Sequence, residues 1–269
     1  MKGNVRSLLL KKEKGERIVS LTAYDFTTAK LEEEAGVDFI LVGDTLAMVV
    51  LGEETTLSAN LDIMLVHTKA VSRGAENTLV VGDMPFGSYE CSDAQAVKNA
   101  ARFLSEGEAD AVKLEGGNER SVSRVKAIID SGIPVMGHIG LLPQSIRQIG
   151  GYRVVYNDQR ERMLSEAFAL QEAGIFSVVL ESIEEELARE ITNELSVPTI
   201  GIGAGRYTDG QILVVNDMLG LSGEFKPKFL KKYVQLDEII LGAVKEYCHE
   251  VRGREFPTEK HIYRARENK

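Results

Sequence analysis

The chain has few of the features that mark secreted, membrane-bound or nucleic-acid-binding proteins. It contains only two cysteines in 269 residues, Cys91 and Cys248, so a disulfide framework is excluded. No apolar run approaches the length of a membrane span, and the first residues are charged rather than apolar. The net charge of −9 and the lack of a basic stripe argue against nucleic-acid binding. The sequence therefore predicts a soluble, cytoplasmic protein with no nucleic-acid and no membrane partner.

The sequence also lacks a linker rich in Pro, Gly or Ser, and it has no segment of low complexity. A barrel of eight strands and eight helices typically takes about 250 residues, which is nearly the whole chain. We therefore expect a single domain over residues 1–269. The four histidines are scattered along the chain, which argues against a three-histidine zinc site.

What the sequence does contain is a repeated pattern, in which a helix-like run stops at a glycine and an apolar strand follows. A helix closed by a glycine and followed by a buried strand is half of a parallel βαβ unit. The pattern predicts an α/β fold, a (β/α)8 TIM barrel. Eight strands are expected, at residues 18–23, 39–44, 79–84, 111–115, 134–139, 177–181, 199–202 and 211–215. The eighth has an alternative, because Asp209-Gly-Gln could instead open a helix.

Two predicted helices lie outside the repeat. The amino-terminal helix, over residues 5–14, is placed to close one end of the barrel. The carboxyl-terminal extension, over residues 236–252, has the apolar spacing of an amphipathic helix. Its apolar face could pack on a neighbouring molecule as easily as on its own barrel.

Asp44 and Asp83 are the best pair of candidate site residues. Each follows a Val-Gly step at the end of an apolar strand, and the two strands are expected to be neighbours, about 4.8 Å apart. Two carboxylates that enter one barrel mouth repel each other, and a divalent cation relieves that repulsion. Oxygen ligands favour Mg²⁺ or Mn²⁺. Each Asp could instead cap the segment that follows it, but Glu115 on the next strand favours a metal site.

Lys113 and Glu115 lie two positions apart on the fourth strand, so both side chains point to the same face. An inward-facing pair of charges is costly unless the charges are used or paired. The functional interpretation gives Lys113 an anionic group of the substrate and gives Glu115 a place around the metal. The alternative is a structural ion pair.

Glu181 and His138 end the sixth and fifth strands. A carboxylate in a partly apolar mouth can act as a general base, although Glu181 could equally be an exposed loop residue. His138 could donate a hydrogen bond to the substrate or move a proton, and its alternative is a satisfied core histidine.

With these residues, the chain resembles the ketopantoate hydroxymethyltransferase family over nearly its full length. The stretches that carry the resemblance are jointly specific and occur in the family's order. They are Thr22-Ala-Tyr-Asp25, Leu41-Val-Gly-Asp44, Gly82-Asp-Met-Pro-Phe86, Val112-Lys-Leu-Glu-Gly-Gly117, Gly137-His-Ile-Gly-Leu141, Pro143-Gln-Ser145, Gly150-Gly-Tyr152, Ile200-Gly-Ile-Gly-Ala-Gly205 and Thr208-Asp-Gly-Gln-Ile-Leu213.

The resemblance implies an activity and an assembly. The activity is transfer of a hydroxymethyl group from 5,10-methylenetetrahydrofolate to 3-methyl-2-oxobutanoate (ketoisovalerate), which gives 2-dehydropantoate for pantothenate and coenzyme A biosynthesis. The reaction would pass through an enolate stabilised by Mg²⁺. The resemblance also implies a large homo-oligomer, usually a decamer.

The resemblance assigns roles to the candidate residues as well. It implies Mg²⁺ on Asp44 and Asp83 with Glu115 associated, and Glu181 as the proton acceptor. It implies that the oxo acid contacts Asp44, Thr45, Asp83 and Lys113, and we add His138 to this set. The family usually has Ser at position 45; Thr45 has the same side-chain hydroxyl as Ser and an additional methyl group.

Three other interpretations remain open from the sequence. A phosphoenolpyruvate mutase or isocitrate lyase relative shares the barrel and the metal-held oxo acid, but the Lys-Lys-Cys-Gly-His loop of isocitrate lyases is absent. An aldolase could form a Schiff base on Lys113. A non-catalytic barrel could bind a ligand only, although the acids at successive strand ends count against it.

Overall fold

The computed structural model describes residues 3–151, 153–223 and 227–264, apart from the side chain of Ile149, and it contains a closed barrel of eight parallel strands. Each strand pairs with the next one along the chain, and the eighth pairs with the first. The strands are β1 Ile18–Thr22, β2 Phe39–Val42, β3 Leu79–Asp83, β4 Ala111–Lys113, β5 Val135–Gly140, β6 Ser177–Glu181, β7 Thr199–Ile202 and β8 Gly210–Leu213. The predicted TIM barrel is confirmed, and the segment after Asp209 is a strand. Tyr152, part of one family motif, lies outside the described residues.

Helices join most of the strands. They are α1 Val5–Lys14, α2 Phe26–Ala35, α3 Leu46–Val49, α4 Leu61–Gly74, α5 Asp93–Ser105, α6 Glu119–Asp130, α7 Ile146–Ile149, α8 Arg160–Ala173, α9 Glu185–Glu194, α10 Val215–Met218 and α11 Leu236–Gly253. Short 3-10 turns lie at Thr56–Ser58, Pro143–Ser145, Asn157–Gln159 and Glu259–His261. The amino-terminal helix and the carboxyl-terminal extension are both present as predicted.

Local signals fix where the helices begin and end. Asn60 starts α4 by accepting a hydrogen bond from Ile63 N at 3.0 Å, and Gly174 ends α8 with a left-handed φ of 98°. At α5, Ser92 Oγ accepts from Gln95 N at 3.1 Å. The side chain of Gln95 accepts from Cys91 N, one residue earlier than a regular capping box requires.

The barrel interior is filled by apolar side chains that point inward from the strands. Its core cluster includes Phe39, Leu79 and Met136, all fully buried, and it also takes in Leu8 of α1. Lys12 of the same helix forms an ion pair with Asp209, just before β8, at 2.8 Å. Since Asp209 precedes a strand, α1 closes the amino end of the barrel and leaves the carboxyl ends for a site.

The chain divides into two compact units by its contacts. The first runs through Val215, contains the whole barrel, and takes in a short segment that ends at Leu230. The second begins at Asn216 and contains α11. Several apolar side chains of α11 are exposed, and none of the helix's residues is buried. The expectation of one domain over residues 1–269 stays a prediction.

Within the described part of the chain, every helix is too short or too polar to cross a bilayer. The predicted cytoplasmic location stays a prediction.

Candidate active site

All seven predicted site residues line one small cavity at the carboxyl ends of the strands. The cavity measures about 60 Å³ and is lined by Asp44, Thr45, Asp83, Lys113, Glu115, His138 and Glu181, together with apolar side chains. Surface cavities of about 430, 450 and 590 Å³ lie elsewhere on the molecule. The small cavity is nevertheless the stronger candidate, because five of its titratable side chains are at most 5% exposed.

Strand register brings the first charges together. Asp83 is paired directly with Lys113 across β3 and β4, and Lys113 Nζ lies 2.9 Å from Asp83 Oδ1. Lys113 and Glu115 both line the cavity, as period-two alternation predicts. The ion pair that the sequence left open as an alternative is therefore present, within the cavity itself.

The Val-Gly-Asp motif has a steric basis at β3. A Cβ atom on Gly82 would lie 2.3 Å from the ring of Phe103, a fully buried residue of α5. Glycine at this position lets α5 approach the strand closely while the next residue, Asp83, turns toward the cavity. At β2 the equivalent Cβ on Gly43 would lie 2.9 Å from Thr45 Oγ1.

Asp44 and Asp83 meet as predicted. Asp44 donates a hydrogen bond from its backbone N to Asp83 Oδ2 at 3.1 Å. Burial and then the neighbouring Asp83 carboxylate raise the pKa of Asp44 to about 7. Burial also raises the pKa of Glu115. The cluster therefore favours an added positive charge, whether a proton or a cation.

The residues of this cluster fit a hard divalent cation. Asp83 Oδ1 is buried and has no well-aligned hydrogen bond beyond its ion pair with Lys113, and the surrounding donors are carboxylate oxygens. Among the described residues, no three His, Cys, Asp or Glu side chains form a ready group of metal ligands. Mg²⁺ is commonly held by only one or two protein carboxylates, with water and substrate completing its shell. Asp44 and Asp83 supply that number.

Lys113 is the buried cation of the cavity. Burial alone would lower the pKa of Lys113, but the carboxylates of Asp83, Glu115 and Asp44 outweigh burial and raise that pKa. The ammonium group therefore stays protonated at neutral pH. A fixed positive charge at this point is suited to a carboxylate of the substrate.

His138 lies between Lys113 and Glu181. Its Nδ1 is 3.3 Å from Lys113 Nζ, and its Nε2 is 3.2 Å from Glu181 Oε2. Burial and then the charge of Lys113 lower the pKa of His138, which favours the neutral ring at neutral pH. A neutral imidazole can accept from the ammonium group through Nδ1, while Nε2 lies close to the Glu181 carboxylate without a well-aligned hydrogen bond among the described residues.

Three residues outside the predicted set complete the site. Tyr24 reaches Thr45, with 2.7 Å between the two hydroxyl oxygens. Gln144 contacts both Asp44 and Glu115, and Tyr89 contacts Gln144. Tyr24 directly follows the first strand, a position from which a loop residue is expected to line the pocket, whereas Gln144 and Tyr89 were not predicted. Gln144 lies in a stretch that carries the family resemblance, and that resemblance was the only signal that pointed to it. The roles of the predicted residues stay predictions, although the structure brings their side chains together.

Comparisons with known proteins show which family the chain is similar to. The family model described as ketopantoate hydroxymethyltransferase matches residues 2–259. A 3-methyl-2-oxobutanoate hydroxymethyltransferase of Trichodesmium erythraeum (strain IMS101) is 56% identical over 254 residues, which cover 94% of this chain and 96% of that protein. The enzyme of the same name from Syntrophus aciditrophicus (strain SB) is 54% identical over 254 residues, covering 94% and 93%.

A solved structure shares the fold at much lower identity. It is a 2,3-dimethylmalate lyase, described as a member of the PEP mutase/isocitrate lyase superfamily. The two chains are 18% identical with a TM-score of 0.62, over 97% of this chain and 92% of the lyase. This similarity supports the barrel fold alone.

Proposed function

This chain belongs to the ketopantoate hydroxymethyltransferase family, and on that premise we propose that it transfers a hydroxymethyl group to 3-methyl-2-oxobutanoate. The proposed donor is 5,10-methylenetetrahydrofolate, and the proposed products are 2-dehydropantoate and tetrahydrofolate. The observation that carries the proposal is the convergence of Asp44, Asp83, Lys113, Glu115 and Glu181 on one cavity at the strand ends. These groups match the needs of a reaction that binds an oxo acid and removes a proton beside its carbonyl.

The proposed cofactor is Mg²⁺, held by Asp44 and Asp83 with Glu115 nearby. When bound there, Mg²⁺ would draw charge from the 2-oxo group and so ease loss of the C3 proton. Burial and then repulsion by Asp83 raise the pKa of Asp44, and a bound cation would offset both effects, which supports this assignment.

Lys113 is proposed to bind the carboxylate of the oxo acid. Its ammonium group is buried, is charged at neutral pH, and lies 2.9 Å from Asp83 Oδ1. Placing the substrate carboxylate against this charge would orient C3 in the cavity, because the carboxylate and the 2-oxo group lie on adjacent carbons. Thr45, held by Tyr24, supplies a hydroxyl beside the same position.

Glu181 is proposed as the base. It lines the cavity on β6, opposite the aspartates of β2 and β3 in strand order, and its Oε2 lies 3.2 Å from His138 Nε2. Glu181 would take the proton from C3. The methylene carbon of the donor is bonded to two folate nitrogens, so both C–N bonds have to break: water supplies the oxygen for that carbon, and its two protons go to the two nitrogens as tetrahydrofolate leaves. The enolate carbon would form the new C–C bond to the resulting formaldehyde-level carbon, and the proton held by Glu181 would pass to the new alkoxide to give the hydroxymethyl group.

A direct assay tests this proposal. Ketoisovalerate and 5,10-methylenetetrahydrofolate should give 2-dehydropantoate with added Mg²⁺, and a chelator should abolish turnover. Oxaloacetate and isocitrate serve as competing substrates; turnover of either in place of ketoisovalerate would favour a superfamily relative. Trapping of an adduct by borohydride would favour a Schiff base on Lys113. Lack of turnover with every substrate would favour a non-catalytic barrel.

We also propose a homo-oligomer, in line with the decamer that the family resemblance implies. Helix α11 supports this proposal because Ile239, Leu241, Val244 and Tyr247 are each more than half exposed. Apolar side chains that are exposed along one helix commonly mark a surface that another chain covers. Light scattering should give a mass several times 29.6 kDa, and a monomer in solution would contradict the proposal.

A further inference from the structure

We infer that Gln144 is a positioning residue, which fixes the carboxylate of Asp44 at the mouth of the barrel. Gln144 follows β5 in the short 3-10 turn Pro143–Ser145 and is 6% exposed. The inference rests on the proposed function, in which Asp44 is a metal ligand. It concerns a residue whose side chain touches a ligand-binding group rather than the substrate.

The side-chain amide of Gln144 is fully used. Its Nε2 donates to Asp44 Oδ2 at 2.9 Å and to the backbone oxygen of Met84 at 3.0 Å. Its Oε1 accepts from the hydroxyl of Tyr89 at 2.5 Å. A primary amide has two N–H donors and one oxygen, so each group has a partner of the right kind. The two acceptors, Asp44 Oδ2 and Met84 O, contact the amide nitrogen, and the donor, the Tyr89 hydroxyl, contacts the amide oxygen. This arrangement fixes the orientation of the amide.

Tyr89 helps to fix that orientation. Its ring is 5% exposed, and burial and the nearby Glu115 carboxylate raise the pKa of its hydroxyl. The hydroxyl therefore stays protonated and can donate to Oε1 of Gln144. An amide turned over by 180° would place its oxygen against Asp44 Oδ2 and its nitrogen against the Tyr89 hydroxyl, so the first of these contacts would be repulsive.

The backbone of Gln144 makes a second connection. Its N donates to Glu115 Oε2 at 3.1 Å, while its side chain reaches Asp44, 100 residues away in the sequence. Gln144, in the turn that follows β5, thus contacts residues at the ends of β2, β3 and β4. Substitution of the side chain removes the contact with Asp44 and leaves the backbone contact with Glu115 in place.

This arrangement matters because Asp44 lies beside another carboxylate. A carboxylate held at one oxygen still offers the other oxygen to a cation, in a fixed direction. Hydrogen bonds that orient a ligating carboxylate typically contribute about 10- to 100-fold to metal affinity or activity. The ligand class is therefore a divalent cation, and the effect of Gln144 should appear in cation binding before any substrate is added.

The test replaces Gln144 by methionine, which keeps the length of the side chain and removes its hydrogen bonds. The matched control is Gln171→Met, because Gln171 Oε1 also makes three hydrogen bonds, to Ser196 and Val197, at 2.7 to 3.3 Å. Mn²⁺ binding is measured by the signal of the free ion in electron paramagnetic resonance, without substrate. The kcat and KM for ketoisovalerate and the melting temperature are measured alongside.

Gln144→Met should weaken Mn²⁺ binding by about 10- to 100-fold, in line with the loss of an orienting hydrogen bond. Its melting temperature should fall no more than that of Gln171→Met, whose Mn²⁺ affinity should equal that of the wild type. Tyr89→Phe should weaken Mn²⁺ binding in the same direction by a smaller factor. The double variant should lose less Mn²⁺ affinity than the product of the two single losses. If Gln144→Met does not fold, the Mn²⁺ affinity of Tyr89→Phe tests the inference in its place.

Equal Mn²⁺ affinity in the wild type and Gln144→Met would overturn the inference, as would an equal loss in Gln171→Met. A wild-type protein that binds no Mn²⁺ would overturn it as well. A wild type that binds Mn²⁺ but does not convert ketoisovalerate would contradict the proposed function instead, and the affinities of the variants would still decide the role of Gln144.

Discussion

The two ends of the barrel bury side chains of opposite character. At the amino end, Leu8 of α1 joins Phe39 and Leu79 in an apolar core. At the carboxyl end, Asp44 and Lys113 are almost as deeply buried, at 3% exposure against 0% for those apolar residues. Apolar burial stabilises a fold, whereas buried charge is costly unless it is paired. The amino end is thus built for stability, whereas the carboxyl end keeps a cluster of buried charges, as expected of the proposed site.

The largest expected effect is at the carboxyl end. Glu181→Gln removes the proposed base and keeps the shape of the side chain, so kcat should fall by about 100- to 10,000-fold while stability is unchanged. Turnover and deuterium exchange at C3 of ketoisovalerate measure the loss. Glu184→Gln, three residues further along and outside the cavity lining, is the control and should be fully active. Full exchange in Glu181→Gln would remove the base assignment.

An intermediate effect is expected at the amino end. Leu8→Ala leaves a cavity in the barrel core, and the free energy of unfolding should fall by about 2 to 5 kcal/mol. Urea denaturation measures the fall. Leu10→Ala, on the same helix but 41% exposed, should cost about 0.5 kcal/mol or less. We expect kcat/KM of both variants to match the wild type while they remain folded; a selective loss of turnover would show that the two ends are coupled.

The smallest effect concerns a buried carboxylate outside the mouth. Glu32 of α2 is 5% exposed, and neither of its oxygens has a hydrogen-bond partner among the described residues. Burial and then the Asp25 carboxylate raise the pKa of Glu32 from 4.5 to about 8. The folded protein therefore keeps this proton at pH values where the unfolded chain has lost it. Stability from this group is present below pH 4.5 and is lost as the pH rises toward 8.

Between pH 6 and pH 8 the wild type should lose about 2 kcal/mol of unfolding free energy through Glu32. The glutamine side chain in Glu32→Gln cannot ionise, so the unfolding free energy of this variant should fall by about 2 kcal/mol less over the same pH interval. Glu34→Gln, on the exposed side of the helix, should follow the wild type. If the unfolding free energies of the wild type and Glu32→Gln changed in parallel with pH, the Glu32 carboxylate would have a hydrogen-bond partner in solution that keeps its pKa near 4.5.

The fold could be predicted from the sequence because its signals are local. Each βα unit carries its own glycine, its own apolar strand and its own residue at the strand end, as in Leu79–Asp83. Six of the seven candidate residues follow from the same rule, since parallel strands bring their carboxyl ends to one mouth, and Thr45 came from the family resemblance. Strand ends were predicted to within two residues. The remaining differences arise because strand pairing stops where the backbone turns, and a run of apolar residues in the sequence does not mark that point.

The supporting contacts could not be predicted in this way. Gln144 reaches Asp44 across 100 residues, and Tyr89 reaches Gln144 across 55. Neither residue has a periodic pattern or a charge that marks it, and both lie in loops whose paths depend on the assembled barrel. Their positions result from tertiary contacts that no window of sequence contains.

The close approach of Phe103 to Gly82 has a consequence for protein engineering. A library that varies the residues around Asp83 to change substrate preference has to leave position 82 as glycine, because even a methyl group there would meet a buried ring at 2.3 Å. Position 43 is different, since the obstructing atom is the hydroxyl of Thr45, which can rotate away at the expense of its contact with Tyr24. Reshaping of this pocket is therefore better started from the second strand than from the third.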